Sequence, residues 1–179
     1  VFVGRIAKEK SIDLVIEGFS KVDFNKTKCQ LMIVGDGPQL YELKQHVHDL
    51  GLDGKVKFTG KKPAEEVPYY YNAAQAFICA SRTETQGLTY LEAMASGLPI
   101  LARPDKVLDG LVHQGSTGYY FETAEELART IESFTKLSKE NMDELKMNIR
   151  STIKKLDSEG FYRKIMEVYE SALLDFAKE

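Results

Sequence analysis

The chain has 179 residues, of which 43% are hydrophobic and 28% are charged, and this apolar content suffices to bury the core of one domain. The formal net charge is −3 at pH 7, with acidic and basic residues interspersed, which argues against a nucleic-acid partner. No apolar run is long enough to span a bilayer, and no signal peptide is visible.

Two cysteines, Cys29 and Cys79, each lie in an apolar, strand-like run. Such a placement is typical of buried free thiols in a reducing compartment, and it predicts a cytoplasmic protein. The sequence opens on Val1-Phe2-Val3-Gly4 without an initiator methionine. We therefore expect that the natural amino terminus, and with it a whole domain, is missing from this chain.

Short apolar segments alternate with helical ones. Strands are predicted at residues 1–4, 29–34, 56–59, 76–80, 100–102 and 119–121, and helices at residues 11–22, 38–50, 64–72 and 88–96. This alternation predicts an α/β fold with a doubly wound, Rossmann-like parallel sheet, in which ligands bind at the carboxyl ends of the strands. From residue 123 onward the pattern predicts a helical carboxyl-terminal tail, with helices at residues 124–137, 139–156 and 161–177.

The loop after the first predicted strand carries Arg5 and Lys10. Two cations at the carboxyl end of a strand can bind a diphosphate, Arg through its rigid fork and Lys as a mobile point charge. For this segment taken alone, two solvated loop cations are an equally good interpretation. The position of the loop, where a parallel sheet binds its ligand, favours the binding role.

The loop after the second predicted strand contains Gly35 and Gly37, followed by Pro38. The glycines allow a tight turn beside a ligand, and Pro38 suits the first position of a helix. The loop begins like a dinucleotide fingerprint, but position 40 is Leu where the third glycine of that motif belongs, so a nicotinamide or flavin site is disfavoured. A purely structural turn explains the two glycines equally well.

Glu84 and Glu92 bracket a turn and the start of the helix predicted at residues 88–96. The first turn of a helix leaves N–H donors unpaired, so a phosphate is expected near Gly87 and Leu88. A carboxylate only accepts hydrogen bonds, which makes sugar hydroxyls natural partners for both glutamates. Either glutamate alone is more simply a surface charge, but Glu92 stands among apolar neighbours and therefore needs a partner.

Several motifs that would indicate other chemistry are missing from the sequence. It contains no phosphate-loop lysine motif, no zinc-binding spacing of His or Cys, and no pair of aspartates two positions apart that would hold a divalent metal. We therefore predict a site that uses neither a metal nor a cofactor.

Taken together, these segments resemble the carboxyl-terminal, donor-binding domain of a retaining glycosyltransferase of the GT-B fold, family 4. The resemblance covers roughly residues 1–130. Its most specific part is Glu84, seven intervening residues and Glu92, followed by Ala-Met-Ala-Ser-Gly-Leu-Pro. By this resemblance the whole chain, residues 1–179, is the donor-binding domain, and the amino-terminal acceptor domain is the missing part.

The resemblance also implies roles for individual residues. Arg5 and Lys10 hold the diphosphate, Glu84 acts as the catalytic residue that positions the donor sugar, and Glu92 holds the ribose. The backbone from Gln86 to Thr89 binds phosphate and sugar. The donor-binding set then comprises Arg5, Lys10, Gly35, Gly37, Gln86, Gly87, Leu88, Thr89 and Glu92.

The implied reaction is a hexosyl transfer from a nucleotide diphosphate sugar, with UDP-glucose as the first choice of donor. The segment Glu-Thr-Gln-Gly-Leu-Thr at residues 84–89 is similar to the corresponding segment of transferases that glucosylate diacylglycerol. This similarity implies a membrane lipid as acceptor. The family's active site lies in a cleft between two domains. We therefore expect this chain alone to be almost inactive, and the whole protein to contact the inner face of the membrane through the missing domain.

The chain departs from the family's usual pattern at three places. Thr85-Gln86 stands where the family usually has an aromatic residue, and Ser11 stands where a glycine is common. Arg103-Pro104-Asp105 lacks the usual pair of glycines. These departures bear on the identity of the donor sugar more than on the class of donor.

Two other functions fit the same residues. A sugar-nucleotide epimerase or hydrolase on a related two-domain fold would need additional acid and base residues. A non-catalytic module would use the fold only to bind a nucleotide or a protein partner.

Overall fold

The computed structural model describes residues 1–82, 84, 87–156 and 166. Within them, the strands are β1 (Phe2–Val3), β2 (Leu31–Val34), β3 (Val56–Gly60), β4 (Phe77–Cys79), β5 (Ile100–Ala102) and β6 (Gly118–Tyr120). The α-helices are α1 (Ile12–Ser20), α2 (Leu40–Asp49), α3 (Val67–Asn72), α4 (Leu88–Ala95), α5 (Ala124–Phe134) and α6 (Lys139–Lys154). Short 3-10 helices lie at Lys8–Lys10 and Lys106–Leu108.

The strands form one parallel layer. β1 pairs with β2 and β2 with β3, while β4 pairs with β5 and β5 with β6. The two groups meet at Val1, whose carbonyl accepts a hydrogen bond of 2.8 Å from the N–H of Ile78. The strand order is therefore β3-β2-β1-β4-β5-β6, which reverses between β1 and β4 as in a doubly wound sheet. The predicted fold class is confirmed.

The apolar pattern of each element explains where it lies. β4 and β5 are buried at every position, as expected for central strands of a parallel sheet with helices on both faces. α5 buries five residues at helical spacing, and Thr123 caps it by accepting a hydrogen bond of 3.2 Å from the N–H of Glu126. Caps of this kind satisfy N–H groups that the helix itself leaves unpaired.

Two helices begin later than the sequence predicted. α2 starts at Leu40 rather than at residue 38, and α3 at Val67 rather than at residue 64. Turns precede both helices, and in the second case the N–H of Glu66 donates to the carbonyl of Pro63 at 3.0 Å.

The helical tail is confirmed through α5 and α6. The helix predicted at residues 161–177 lies outside the described residues, apart from Met166. In the described part of the chain, no helix combines the length and the apolarity that crossing a bilayer requires.

Candidate functional site

A cleft opens where the strand order reverses, between the loop after β1 and the beginning of α4. Its volume is about 380 Å³. The cleft is lined by Phe2, Val3, Gly4, Arg5, Glu9, Lys10, Cys79, Glu84, Gly87, Leu88 and Thr89. Open parallel sheets bind ligands at the carboxyl ends of the strands on either side of this reversal. We therefore identify the cleft as the candidate site.

A larger groove of about 600 Å³ lies at the opposite end of the strands, near the amino-terminal ends of β2 and β4. It is lined mainly by apolar side chains of the core, and none of the predicted site residues is among them. Volume alone therefore favours the larger groove, whereas the position of the predicted residues favours the smaller cleft.

Lys10 and Glu84 meet inside the cleft although they are 74 positions apart in the chain. Nζ of Lys10 lies 2.7 Å from Oε1 of Glu84, and the two side chains are only 22% and 12% exposed. A carboxylate so shielded from water needs a counter-charge. The loop after β1 and the loop after β4 thus present one cation and one anion side by side.

Arg5, the second predicted cation, projects further into solvent. Its guanidinium donates to the carboxylate of Glu9, four positions along, and the side chains are 66% and 40% exposed. This hydrogen bond holds the pKa of Glu9 below its ordinary value. An exposed pair of this kind contributes little to stability, so Arg5 can exchange Glu9 for a ligand phosphate at small cost. The sequence prediction missed Glu9, and its spacing from Arg5 was the available signal.

Ser11 turns the chain from the 3-10 helix that carries Lys10 into α1. Its φ of 47° is the only positive φ of a non-glycine residue among those described, and its N–H donates to the carbonyl of Lys8 at 3.0 Å. This left-handed conformation favours glycine, which gives a structural reason for the glycine that the resemblance implies at this position.

Gly87 sits at the start of α4 with φ of 62°. A Cβ atom added here would lie 2.9 Å from the side chain of Val107. Both the backbone angle and the lack of space therefore require glycine, and the tight packing brings the beginning of α4 to the rim of the cleft.

The first turn of α4 offers backbone donors to the cleft. The carbonyl of Gly87 accepts from the N–H groups of Tyr90 and Leu91 at 2.9 and 3.3 Å, so the hydrogen-bond ladder of the helix begins there. The N–H groups of Leu88 and Thr89 precede this ladder, and both residues line the cleft. Helix beginnings of this kind attract anions.

Asp105 connects two of the loops around the cleft. Its Oδ2 accepts from the N–H of Glu84 at 3.2 Å, and its Oδ1 accepts from the N–H of Val107 at 3.1 Å. The loop after β5 thereby holds the main chain at Glu84. The sequence analysis did not predict this role, and its only signal was the departure from the family's paired glycines.

Glu92 lies one turn further along α4 and does not line the cleft. Its Oε2 accepts a hydrogen bond of 3.0 Å from the hydroxyl of Tyr71, but Glu92 is exposed and not enclosed by apolar neighbours as the sequence suggested. Burial raises the pKa of Tyr71, and the negative charge of Glu92 raises it further. This phenol therefore remains a hydrogen-bond donor. The role of Glu92 toward a ribose stays a prediction.

Gly35 and Gly37 pack against main chain behind the cleft rather than lining it. Added Cβ atoms would lie 1.9 Å from the carbonyl oxygen of Gly4 and 2.2 Å from that of Ile6. The glycines therefore let the loop after β2 support the loop that carries Arg5. This close contact accounts for both residues, and a direct role in donor binding stays a prediction.

Two further predictions concern metals and Gln86. Among the described residues, no group of three or more His, Cys, Asp or Glu side chains is arranged to hold a metal ion. Gln86 lies outside the described residues.

Comparison with curated proteins identifies relatives among enzymes of glycolipid synthesis. Alpha-monoglucosyldiacylglycerol synthase of Streptococcus pneumoniae is 34% identical over 172 residues, which are 96% of this chain and 38% of that protein. The enzyme of the same name from Acholeplasma laidlawii is 41% identical over 131 residues, which are 72% of this chain and 32% of that protein. The chain thus spans about a third of the length of these relatives.

The fold is also found in solved structures. Anabaena HepE in complex with UDP-glucose aligns with a TM-score of 0.78 and 23% identity, over 95% of this chain and 48% of HepE. A sequence model of the family described as glycosyl transferases group 1 matches residues 1–154. The predicted resemblance to glycosyltransferases of the GT-B fold is therefore confirmed, and the chain belongs to the group 1 glycosyl transferases.

Proposed function

We propose that this chain is the donor-binding domain of a retaining hexosyltransferase that uses UDP-glucose as donor and a membrane lipid such as diacylglycerol as acceptor. The observation that carries the proposal is the pairing of Lys10 with Glu84 at 2.7 Å in the cleft beside the beginning of α4. A nucleotide diphosphate sugar carries phosphates and hydroxyls next to each other, and this cleft offers a partner for each.

The phosphates are assigned to Arg5, Lys10 and the N–H groups at the beginning of α4. Breaking the bond between the anomeric carbon and the phosphate oxygen leaves negative charge on the diphosphate. Fixed cations and helix N–H groups stabilise that charge as it develops. Among the described residues Arg5 pairs with Glu9, which is itself exposed, so Arg5 can leave this partner and close on the diphosphate when the donor arrives.

The sugar is assigned to Glu84. With Lys10 on Oε1, the carboxylate keeps acceptor capacity for sugar hydroxyls. We assign it to positioning the sugar rather than to nucleophilic attack. The name that both relatives carry, alpha-monoglucosyldiacylglycerol synthase, specifies an alpha-glucosyl product. Because the glucose of UDP-glucose is itself α-linked, such a product means retention of configuration.

The acceptor is assigned to parts of the protein outside this chain. The two synthases named above are named for diacylglycerol, which supports a lipid acceptor here. In this proposal an amino-terminal domain completes the cleft and brings a cytoplasmic enzyme to the inner face of the membrane.

Transfer of labelled glucose by the full-length enzyme tests the proposal. UDP-glucose with diacylglycerol should yield a glucolipid, whereas UDP-glucose without acceptor should yield little product. Release of glucose or a change of sugar configuration without acceptor would instead indicate a hydrolase or an epimerase. Glu84→Gln should lower transfer by about a hundredfold and leave UDP affinity nearly unchanged.

The choice of nucleotide is tested on this chain by thermal shift with UDP, GDP and ADP. A ligand at about a hundred times its Kd stabilises the folded state by roughly 2.7 kcal/mol. UDP should give the largest shift. Binding of none of the three nucleotides would contradict the proposal.

A further inference from the structure

A buried phenol lies directly behind Glu92. Tyr71 belongs to α3 and is 1% exposed, whereas Glu92, 21 positions along the chain on α4, is exposed. The hydroxyl of Tyr71 donates to Oε2 of Glu92 at 3.0 Å. The polar end of a core side chain thus reaches the surface at this one carboxylate.

The ring of Tyr71 is held by the aromatic core. Its centroid lies 6.1 Å from that of Phe77 on β4, and Phe77 in turn packs edge-to-face on Tyr90 of α4 with centroids 5.6 Å apart. A tyrosine has only two side-chain torsions, and close packing in a core restricts both. The hydroxyl is therefore a fixed donor.

A glutamate on the exposed side of a helix would otherwise sample several rotamers. The bond from Tyr71 selects one of them and occupies one of the roughly four lone-pair positions of the carboxylate. Oε1 and the second position on Oε2 remain available, which matches the two adjacent hydroxyls of a ribose.

We propose that Tyr71 is a positioning residue that orients Glu92 toward the ribose hydroxyls of the donor nucleotide, so that this pair sets the preference for ribonucleotides over deoxyribonucleotides. The inference rests on the proposed function and on the role that the resemblance implies for Glu92, which is to hold the ribose. It adds a residue of α3, outside the cleft, to the determinants of specificity.

Calorimetry with UDP and 2′,3′-dideoxy-UDP tests the inference, because the second nucleotide lacks both hydroxyls. The wild type should bind UDP about tenfold more tightly than the dideoxy analogue, as expected for hydrogen bonds to a charged group. Tyr71→Phe removes only the hydroxyl and should bring this ratio close to one, by weakening UDP and not the analogue. Tyr69→Phe, the same change at a side chain of α3 that is 73% exposed, should keep the wild-type ratio.

Two further variants separate positioning from a structural role. Glu92→Gln should also bring the ratio close to one, and adding Tyr71→Phe to it should change nothing further. Glu92→Asp keeps the charge but withdraws the carboxylate from both Tyr71 and the ribose, so it should also bring the ratio close to one, and it tests whether the position of the carboxylate matters even if Tyr71→Phe fails to fold.

The outcomes distinguish the inference from the function. A Tyr71→Phe protein with the wild-type ratio, or a Glu92→Asp protein with that ratio, would overturn the inference and leave UDP binding intact. A wild-type protein that bound UDP and its dideoxy analogue equally well would also overturn the inference while leaving UDP binding intact. A wild type that bound neither nucleotide would overturn the proposed function as well.

Discussion

Lys10 differs from the exposed Arg5 because it is shielded from water together with its carboxylate partner, Glu84. Lys10→Ala should lower UDP affinity by about tenfold or more, since a hydrogen bond between charged groups contributes roughly 1.5 to 3 kcal/mol. Arg5→Ala should have a similar effect. Uridine, which has no phosphate, should bind both variants as it binds the wild type, and calorimetry with the two ligands measures the difference.

The control for these variants is Lys8→Ala, because Lys8 belongs to the same 3-10 helix, is exposed and does not line the cleft. Its UDP affinity should equal that of the wild type. Equal losses for UDP and uridine in the Lys10 variant would mean that Lys10 contacts the nucleoside or supports the fold instead.

Ser11 shows how one residue can hold a loop in an unfavourable conformation. Its left-handed backbone angle is especially unfavourable for a β-branched side chain. Ser11→Val should therefore lower the free energy of unfolding by about 1 to 2 kcal/mol, as measured by urea denaturation. Ser11→Gly should not destabilise, because relief of strain offsets the greater freedom of the unfolded chain. A Val variant as stable as the wild type would show that the turn tolerates any residue.

At the scale of elements, the loops after β1 and β2 depend on close main-chain contact. An added Cβ at Gly37 would lie 2.2 Å from the carbonyl oxygen of Ile6, so the loops would have to separate. Gly37→Ala should therefore lower the free energy of unfolding, measured by urea denaturation, by about 2 to 3 kcal/mol. It should also weaken UDP binding, measured by calorimetry, because the loop of Arg5 and Lys10 would move.

Gly54→Ala is the matched control for this variant. Gly54 has a positive φ of 76° but nothing within 4 Å of an added Cβ. Gly54→Ala should lower the free energy of unfolding by only about 1 kcal/mol, through backbone strain, and leave UDP affinity unchanged. A loss of UDP affinity in the Gly54 variant comparable to that of Gly37→Ala would attribute the effect to stability alone.

Asp105 joins the loop after β4 to the loop after β5 through its two oxygens. Asp105→Asn retains one acceptor for the N–H of Val107 but loses the second acceptor, which binds the N–H of Glu84. We expect sugar transfer to fall by about ten- to a hundredfold, because the sugar-positioning carboxylate shifts, while UDP affinity and melting temperature stay close to wild type. Kinetics of the full-length enzyme and melting curves check this, and an equal fall in UDP affinity would place Asp105 on the nucleotide.

At the scale of the whole molecule, the site exists because the strand order reverses between β1 and β4. The reversal places the loop after β1 beside the loop after β4, and it brings Lys10 within 2.7 Å of Glu84 across 74 positions of sequence. Before the structure, only the resemblance placed these two residues in one site, because their spacing in the chain carries no information on contact.

Some features followed from local sequence alone. The alternation of buried strands with amphipathic helices determined the fold class, since a parallel sheet requires apolar strands and long crossovers. Gly87 and the apolar run of α4 likewise predicted a helix beginning that offers N–H groups to an anion. The first residues of α2 and α3 were less well determined, because turns with good hydrogen bonds competed with the helix.

Other features were decided by the tertiary structure. The partners of Arg5, Glu84 and Glu92 are Glu9, Lys10 and Tyr71, and the last two lie on other elements of the fold. A side chain's partner across the fold depends on how the elements pack, and no local pattern encodes that distance. The sequence by itself therefore determined the parallel sheet and the kinds of groups at its edge, whereas packing decided which charges meet in the cleft and which carboxylate the core holds in place.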